Sequence, residues 1–442
     1  MRGPSSSHTA ASVRIGLLGR TLMKGKVKKA VFTFDPDGSL ATTYRGQGSA
    51  MGLAAGLLGM EISDPKLVNA EAICNEMGIE LSFQIKQIGA NHPNTYDIEL
   101  IDEKGIGLRF TALSTGGGKI RLIELAGKEI VDDRQFVDPL MPLAIADDPL
   151  LPFTTIDDLE KSIQNKKRKL SEYAIDYESS LGDVSTDYIA ELASNHLDAM
   201  LNSVETGLEG TEYSDRILHR QSHLLDDEKV KNNIIPSKLL NRMIKNVTAV
   251  METKSSMGVI VAAPTAGSCG ALAGSLAAMC DTVAASGEDL ESALMAAGLV
   301  GVFVSQQGGF AAEEGGCQYE CGAASGMTAA ALVNIMGGDA AVALRAASMA
   351  MQNTLGLICD PVADRVEVPC LGKNIMAALN AAAAANMAIA GFAHVIPLKQ
   401  VIEAMREVGE GMDQRYCCTC KGGLSITAAS QLIQKNLDPN KS

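Results

Sequence analysis

Three cysteines stand in surroundings suited to metal chemistry. Cys317 lies in Gly316-Cys317-Gln318-Tyr319-Glu320, Cys359 in Cys359-Asp360-Pro361-Val362 and Cys370 in Val368-Pro369-Cys370. Each is embedded in Gly, Pro or small residues, which let a backbone turn tightly around a bulky inorganic body. Thiolates are the usual protein ligands of iron–sulfur clusters. Three thiolates on a four-iron cluster leave one iron open, and an open position can bind a hydroxyl and act as a Lewis acid. The spacing is not a CxxC array. The residues alone therefore leave a second reading in place, that of buried thiols packing as small hydrophobes.

Two polar loops could serve such a centre. Gly3-Pro4-Ser5-Ser6-Ser7-His8-Thr9 offers hydroxyl donors and an imidazole that could move a proton. The same residues precede the largely apolar stretch Ala10 to Leu18, so a helix N-cap is the competing reading. Pro264-Thr265-Ala266-Gly267-Ser268-Cys269-Gly270 opens another helix, where Thr265, Ser268 and free backbone N–H groups could hold a carboxylate or simply cap. Glu313, Glu314 and Glu320 flank Cys317, and Lys373-Asn374 follows Cys370; each could meet substrate or serve structure.

These motifs, with His92-Pro93-Asn94-Thr95, Gly116-Gly117-Gly118 and Gly422-Gly423-Leu424, run nearly end to end along the chain. In kind and order they resemble the iron–sulfur-dependent L-serine dehydratases, in the form that carries both family regions on one polypeptide. The resemblance implies a [4Fe-4S] cluster on Cys317, Cys359 and Cys370, whose separations of 42 and 11 residues are similar to those of the family's ligands. It also implies substrate contact from Ser5, Ser6, Ser7, Thr9, Thr265, Ser268, Lys373 and Asn374, with His8 as the catalytic proton-transfer residue. The implied reaction removes water from L-serine, after which the product loses ammonia to give pyruvate. No lysine or glycine loop suggests pyridoxal phosphate. The loop from Ser5 to Thr9 is expected to approach the three thiols.

The chain departs from the family on the substrate side. Gly46-Gln47-Gly48-Ser49-Ala50 stands where a Gly-His-Gly-Thr-Asp pattern is usual, so an imidazole and an acid are missing. Gln352-Asn353-Thr354 replaces a His-bearing segment, and Cys418-Thr419-Cys420 replaces a Glu-Thr pair. Of six histidines, only His8 and His92 fall in family motifs. The alternatives are a lyase for another β-substituted amino acid or hydroxy acid, such as L-cysteine or L-threonine, and an impaired binding paralogue. A zinc or thiol redox sensor is a third class. Cys417, Cys418 and Cys420 pack as thiols by default, with a resting cluster ligand among them as the alternative.

The elements that must position these groups fall into two parts. Val27 to Asp35, Leu81 to Ile88, Thr95 to Ile101, Gly107 to Ser114 and Lys119 to Leu125 read as strands, with helical spacing over Ala50 to Met60 and Pro65 to Met77. Short turns between strands favour an antiparallel α+β domain over residues 1–150. Asp138 to Pro152 reads as a linker. An all-helical domain over 151–442 follows, its charge falling away after Pro236, as in helices buried on most faces. Residues 255–280 carry no charge, but their Ala, Gly and Ser content argues for tight packing and not for a membrane span.

The 442-residue chain carries a net charge of −14, which argues against nucleic acid as a partner, since a phosphate-binding surface needs an excess of Lys and Arg. Met1-Arg2 leads straight into a polar turn, so no secretory leader is expected. Ten cysteines then point to a reducing, cytoplasmic setting. The expected partners are a small amino-acid substrate and a second copy of the chain, because the helical surfaces are apolar.

Overall fold

The computed structural model describes residues 1–131 and 143–437. Six strands form one sheet: β1 (Val27–Phe34), β2 (Glu80–Ile85), β3 (Thr95–Asp102), β4 (Gly107–Ser114), β5 (Ile120–Leu125) and β6 (Lys128–Glu129). Their order is β2-β1-β3-β4-β5-β6. Every pairing from β1 through β6 is antiparallel, as expected from the short turns. β2 alone joins parallel to β1, because the helical stretch between them carries the chain back to the starting edge.

Period-two alternation selects one face. Ala30, Phe32 and Phe34 of β1, Tyr96, Ile98 and Leu100 of β3 and Phe110 and Ala112 of β4 are buried. They pack with Ile15 of the helix Ala11–Leu22 and with Leu53 and Leu57 of the helix Ser49–Leu58. Arg109 and Asp97 pair on the opposite face.

The two covering helices meet backbone to backbone. A Cβ at Gly56 would lie 2.1 Å from the Val13 carbonyl, and one at Gly16 would lie 2.4 Å from that of Leu53. Gly56→Ala should therefore destabilise the protein by about 1–3 kcal/mol, the usual overpacking cost. A denaturant midpoint at least as high as wild type would show that the helices can separate freely.

The remainder is helical from Ile156–Ile163 through Ala428–Leu437. At its centre the helix Ala323–Ile335 is buried on all sides from Ala323 to Asn334, which explains its lack of charge. Cys269–Val283, Gly287–Gln307, Ala340–Gln352 and Cys370–Ile389 share that core. No helix among the described residues is long and apolar enough to cross a membrane. The Asp138 to Pro152 linker lies partly outside the described residues. Extended contacts join the sheet part to the helical part, with bridges between Arg2 and Val259 and between Gly116 and Phe310.

Candidate active site

The fold gathers the thiols at helix starts and one strand-like contact. Cys317 precedes the π-helical turn Gln318–Gly322, Cys370 begins the helix Cys370–Ile389, and Cys359 pairs with Cys417. All three are buried. Cys317, Cys359, Cys321 and Cys418 pack in one cluster with Ala271, Ala312, Ala324 and Ala377. Sequence reasoning passed over Cys321, whose i+4 spacing from Cys317 was the available signal.

Charge ties Cys370 to the same place. Burial pushes its thiol up to about 12, against the pull of Lys254 and Lys373. The Cys317 thiol falls to about 7, chiefly through its hydrogen bond with Cys321. Cys359 is held high by its hydrogen bond with Cys418 and by burial. Burial works against the Lys373 ammonium, yet Cys317, Cys359, Asp360 and Cys370 keep its pKa above the ordinary value. Among the described residues no three His, Cys, Asp or Glu side chains are set to hold a single metal ion. Several thiols, which are soft donors, spread around one buried spot with a cation beside them.

The Ser5–Thr9 loop reaches this region. Ser5 caps the following turn through the His8 N–H, so the capping reading holds as well. His8 is fully buried, its Nε2 2.7 Å from Thr43 Oγ1. Thr43 spends its own proton on the Ser39 carbonyl, so Nε2–H must donate to Thr43. Nδ1 is then a lone pair, 3.2 Å from Ser5 Oγ and 3.4 Å from Glu313 Oε1. Ser7 Oγ donates to that same carboxylate oxygen at 2.6 Å. Burial lowers the His8 pKa more than Glu313 restores it, so the imidazole is neutral at neutral pH. Glu313 lies four residues before Cys317, so its contacts with Ser7 and His8 tie the loop to the segment that carries this thiol.

The second loop closes another side. The Ala266 N–H donates to Ser6 Oγ, and Thr265 Oγ1 donates to Glu320 Oε1 at 2.7 Å. Burial first, then Cys317 and Glu313, push the Glu320 carboxyl up to about 8, so it carries a proton at neutral pH. Ser268 Oγ meets Thr265 Oγ1 at 3.0 Å. Asn374 braces the helix start, accepting from Gly270 N and donating to the Gly267 and Cys370 carbonyls. Lys373 is bound to Asp360 and the Ile358 carbonyl, on the thiol side of the site. Thr9 donates to the Gln47 carbonyl, away from the carboxylates.

The departures from the family also meet here. Gln47, buried, donates from Nε2 to Cys418 Sγ at 3.5 Å. Ser39 and Thr42 bond the Cys418 and Thr419 carbonyls. Gln47, in place of the imidazole, and Cys418, in the segment that stands for the Glu-Thr pair, are thus bonded to each other, a pairing that the separate motifs did not reveal. From the sheet side, His92 Nε2 lies 2.5 Å from Glu314 Oε1.

A buried neutral imidazole, a protonated carboxyl and a set of thiols thus meet on an α+β and helical frame. Residues 160–425 match the family described as serine dehydratase alpha chain, and this chain belongs to that family. It is 33% identical over 285 residues to a protein of Bacillus subtilis (strain 168) named probable L-serine dehydratase, alpha chain, covering 64% of this chain and 95% of that one. It is 29% identical to L-serine dehydratase 2 of Escherichia coli (strain K12) over 96% of both chains. A similar match, 29% over 96% of each, is to the L-serine dehydratase of Streptomyces coelicolor. These end-to-end matches make it the single-chain form.

Proposed function

We propose that this protein is an L-serine dehydratase that converts L-serine to pyruvate and ammonia. The observation that carries the reading is the meeting of His8 Nδ1 with Glu313 Oε1 at 3.4 Å, four residues before Cys317. The full-length relatives named L-serine dehydratase support it, and do not favour the alternatives of another substrate or an impaired paralogue.

A [4Fe-4S] cluster fits the buried thiols, with Cys317, Cys359 and Cys370 as its ligands, and when bound it would supply a Lewis acid for the β-hydroxyl. His8 takes the α-proton at Nδ1, the atom left free by its bond to Thr43. The Ser5 hydroxyl, 3.2 Å from Nδ1, holds the ring, and the Glu313 carboxylate stabilises the imidazolium once the proton has arrived. Glu320 accepts from Thr265 at Oε1 and gives the proton on its other oxygen to the departing hydroxide. Loss of water leaves aminoacrylate, whose imine tautomer hydrolyses to pyruvate and ammonia. Ser6, Ser7, Thr265 and Ser268 border the substrate, whereas Lys373 and Asn374 act from the thiol side, holding the loops that carry Cys359 and Cys370.

Among the described residues no disulfide joins any of the cysteines, in keeping with a reducing cytoplasm. Phe392 and Val395, exposed beyond the helix Cys370–Ile389, suit a homodimer contact. The test of function is a panel of L-serine, L-threonine, L-cysteine and glycerate, assayed after anaerobic reconstitution with iron and sulfide. L-serine should give the highest kcat/KM. A higher value for any other member would assign the altered Gln47–Cys418 side to a different substrate.

A further inference from the structure

Among the described residues, a group of buried polar atoms has no hydrogen-bond partner. Both side-chain atoms of Asn94, Oδ1 and Nδ2, lack a hydrogen bond, as do Ser114 Oγ and Glu313 Oε2. Asn94 and Ser114 are fully enclosed, and Glu313 is 2% exposed. A buried amide with neither end satisfied costs folding free energy and calls for a partner that comes and goes.

The sheet places these atoms together. The β3–β4 register pairs Thr95 with Leu113 and Tyr96 with Ala112, so Asn94 and Ser114 face each other one step further on, and the Ser114 N–H donates to the Asn94 carbonyl. Side chains two apart on a strand share a face. Asn94 therefore lies on the face of Tyr96, whose hydroxyl donates to the Ser7 carbonyl, while Ser7 Oγ bonds Glu313. Two residues along a strand span roughly 7 Å, about the length of a small amino acid. Around this spot, His92 pairs with Glu314, and Gly116 lies so close to Phe310 and Ala311 that a Cβ there would be 2.5 Å from the Ala311 nitrogen.

We propose that Asn94, Ser114 and Glu313 form the seat for the zwitterionic head of an α-amino acid. The inference rests on the dehydratase reading and specifies how that site holds its substrate. Glu313 Oε2 and Asn94 Oδ1 accept from the ammonium. Asn94 Nδ2 and the Ser114 hydroxyl donate to the carboxylate. This seat presents the α-carbon toward His8 Nδ1, because Glu313 touches both through its two oxygens.

The experiment compares wild type with Asn94→Leu and Ser114→Ala, reading melting temperature with and without amino acid, then KM and kcat. Leu fills the space of Asn without its orphaned atoms, so the ligand-free variant should melt no lower than wild type. L-serine should raise the melting temperature of wild type and not of Asn94→Leu, and KM should rise about tenfold or more in each variant, with kcat changed less. Glycerate, which lacks the ammonium, should not raise the wild-type melting temperature. If wild type responds to another α-amino acid but not to L-serine, and Asn94→Leu abolishes that response, the seat stands and the serine assignment falls. A variant that melts lower yet binds L-serine as wild type does would overturn the seat and leave the orphaned atoms to enclosed water.

Discussion

Replacing His8 with Gln should lower kcat by about 10²- to 10⁴-fold, the usual contribution of a positioned general base, while leaving bound iron unchanged. Gln can keep a bond to Thr43, whose Oγ1 lies 2.7 Å from the imidazole Nε2. It cannot accept the α-proton near neutral pH. The wild-type pH profile carries a second check. Burial lowers the His8 pKa, so the base stays neutral on descending through 6.5 and the acid limb of kcat/KM should lie below that pH. Glu320, raised to about 8 by burial and by Cys317 and Glu313, should set the alkaline limb, because above that pH it has no proton to give. Glu320→Gln should remove that limb. A His8→Gln enzyme retaining wild-type kcat would assign the proton to another group.

Replacing Cys317, Cys359 or Cys370 with Ser should each abolish activity and most of the bound iron. A hydroxyl is a harder and far less acidic ligand than a thiol, and losing one of three anchors frees the whole group. Cys269→Ser provides the contrast. Its thiol is also fully buried and is pushed up to about 12 by burial, but unlike Cys370, which feels the charge of Cys317, it feels none of the three ligand thiols. That variant should keep its iron. Full iron and full activity in all three ligand variants would show that the metal, if any, sits elsewhere. Iron loss in Cys321→Ser alone would shift the assignment to the neighbouring thiol of the same cluster.

Strands and helices were largely legible because local patterns dictate them. The alternation in Val27–Phe34 and Thr95–Asp102 gave their boundaries to within a residue or two, whereas the helical part was legible only as a whole. The parallel β1–β2 pair was not legible, since register between distant strands is decided by packing of the intervening helix and not by local residue type. The Ser5–Thr9 loop and the cysteine motifs carried their chemistry in residue type. Partner choice did not show in the same way. Lys373 reads in sequence as a substrate contact or a structural residue, and the structure bonds it to Asp360. Gln47 and Cys418, 371 residues apart, read as two losses but form one contact. The raised pKa of Glu320 arises from enclosure, and the enclosure of the Asn94 side chain from a strand pairing, neither of which a linear motif can express.

The central claim is dehydration of L-serine at a thiol-held cluster joined to the His8 loop. Its most direct test is pyruvate release from L-serine by anaerobically purified protein, with iron and sulfide counted on the same sample. The account predicts about four irons and four sulfides per chain for a cubane cluster, pyruvate formed in step with cluster content, and loss of both on exposure to air or a chelator. Pyruvate formed at an undiminished rate by iron-free protein, or a full cluster with no turnover of L-serine, would contradict it.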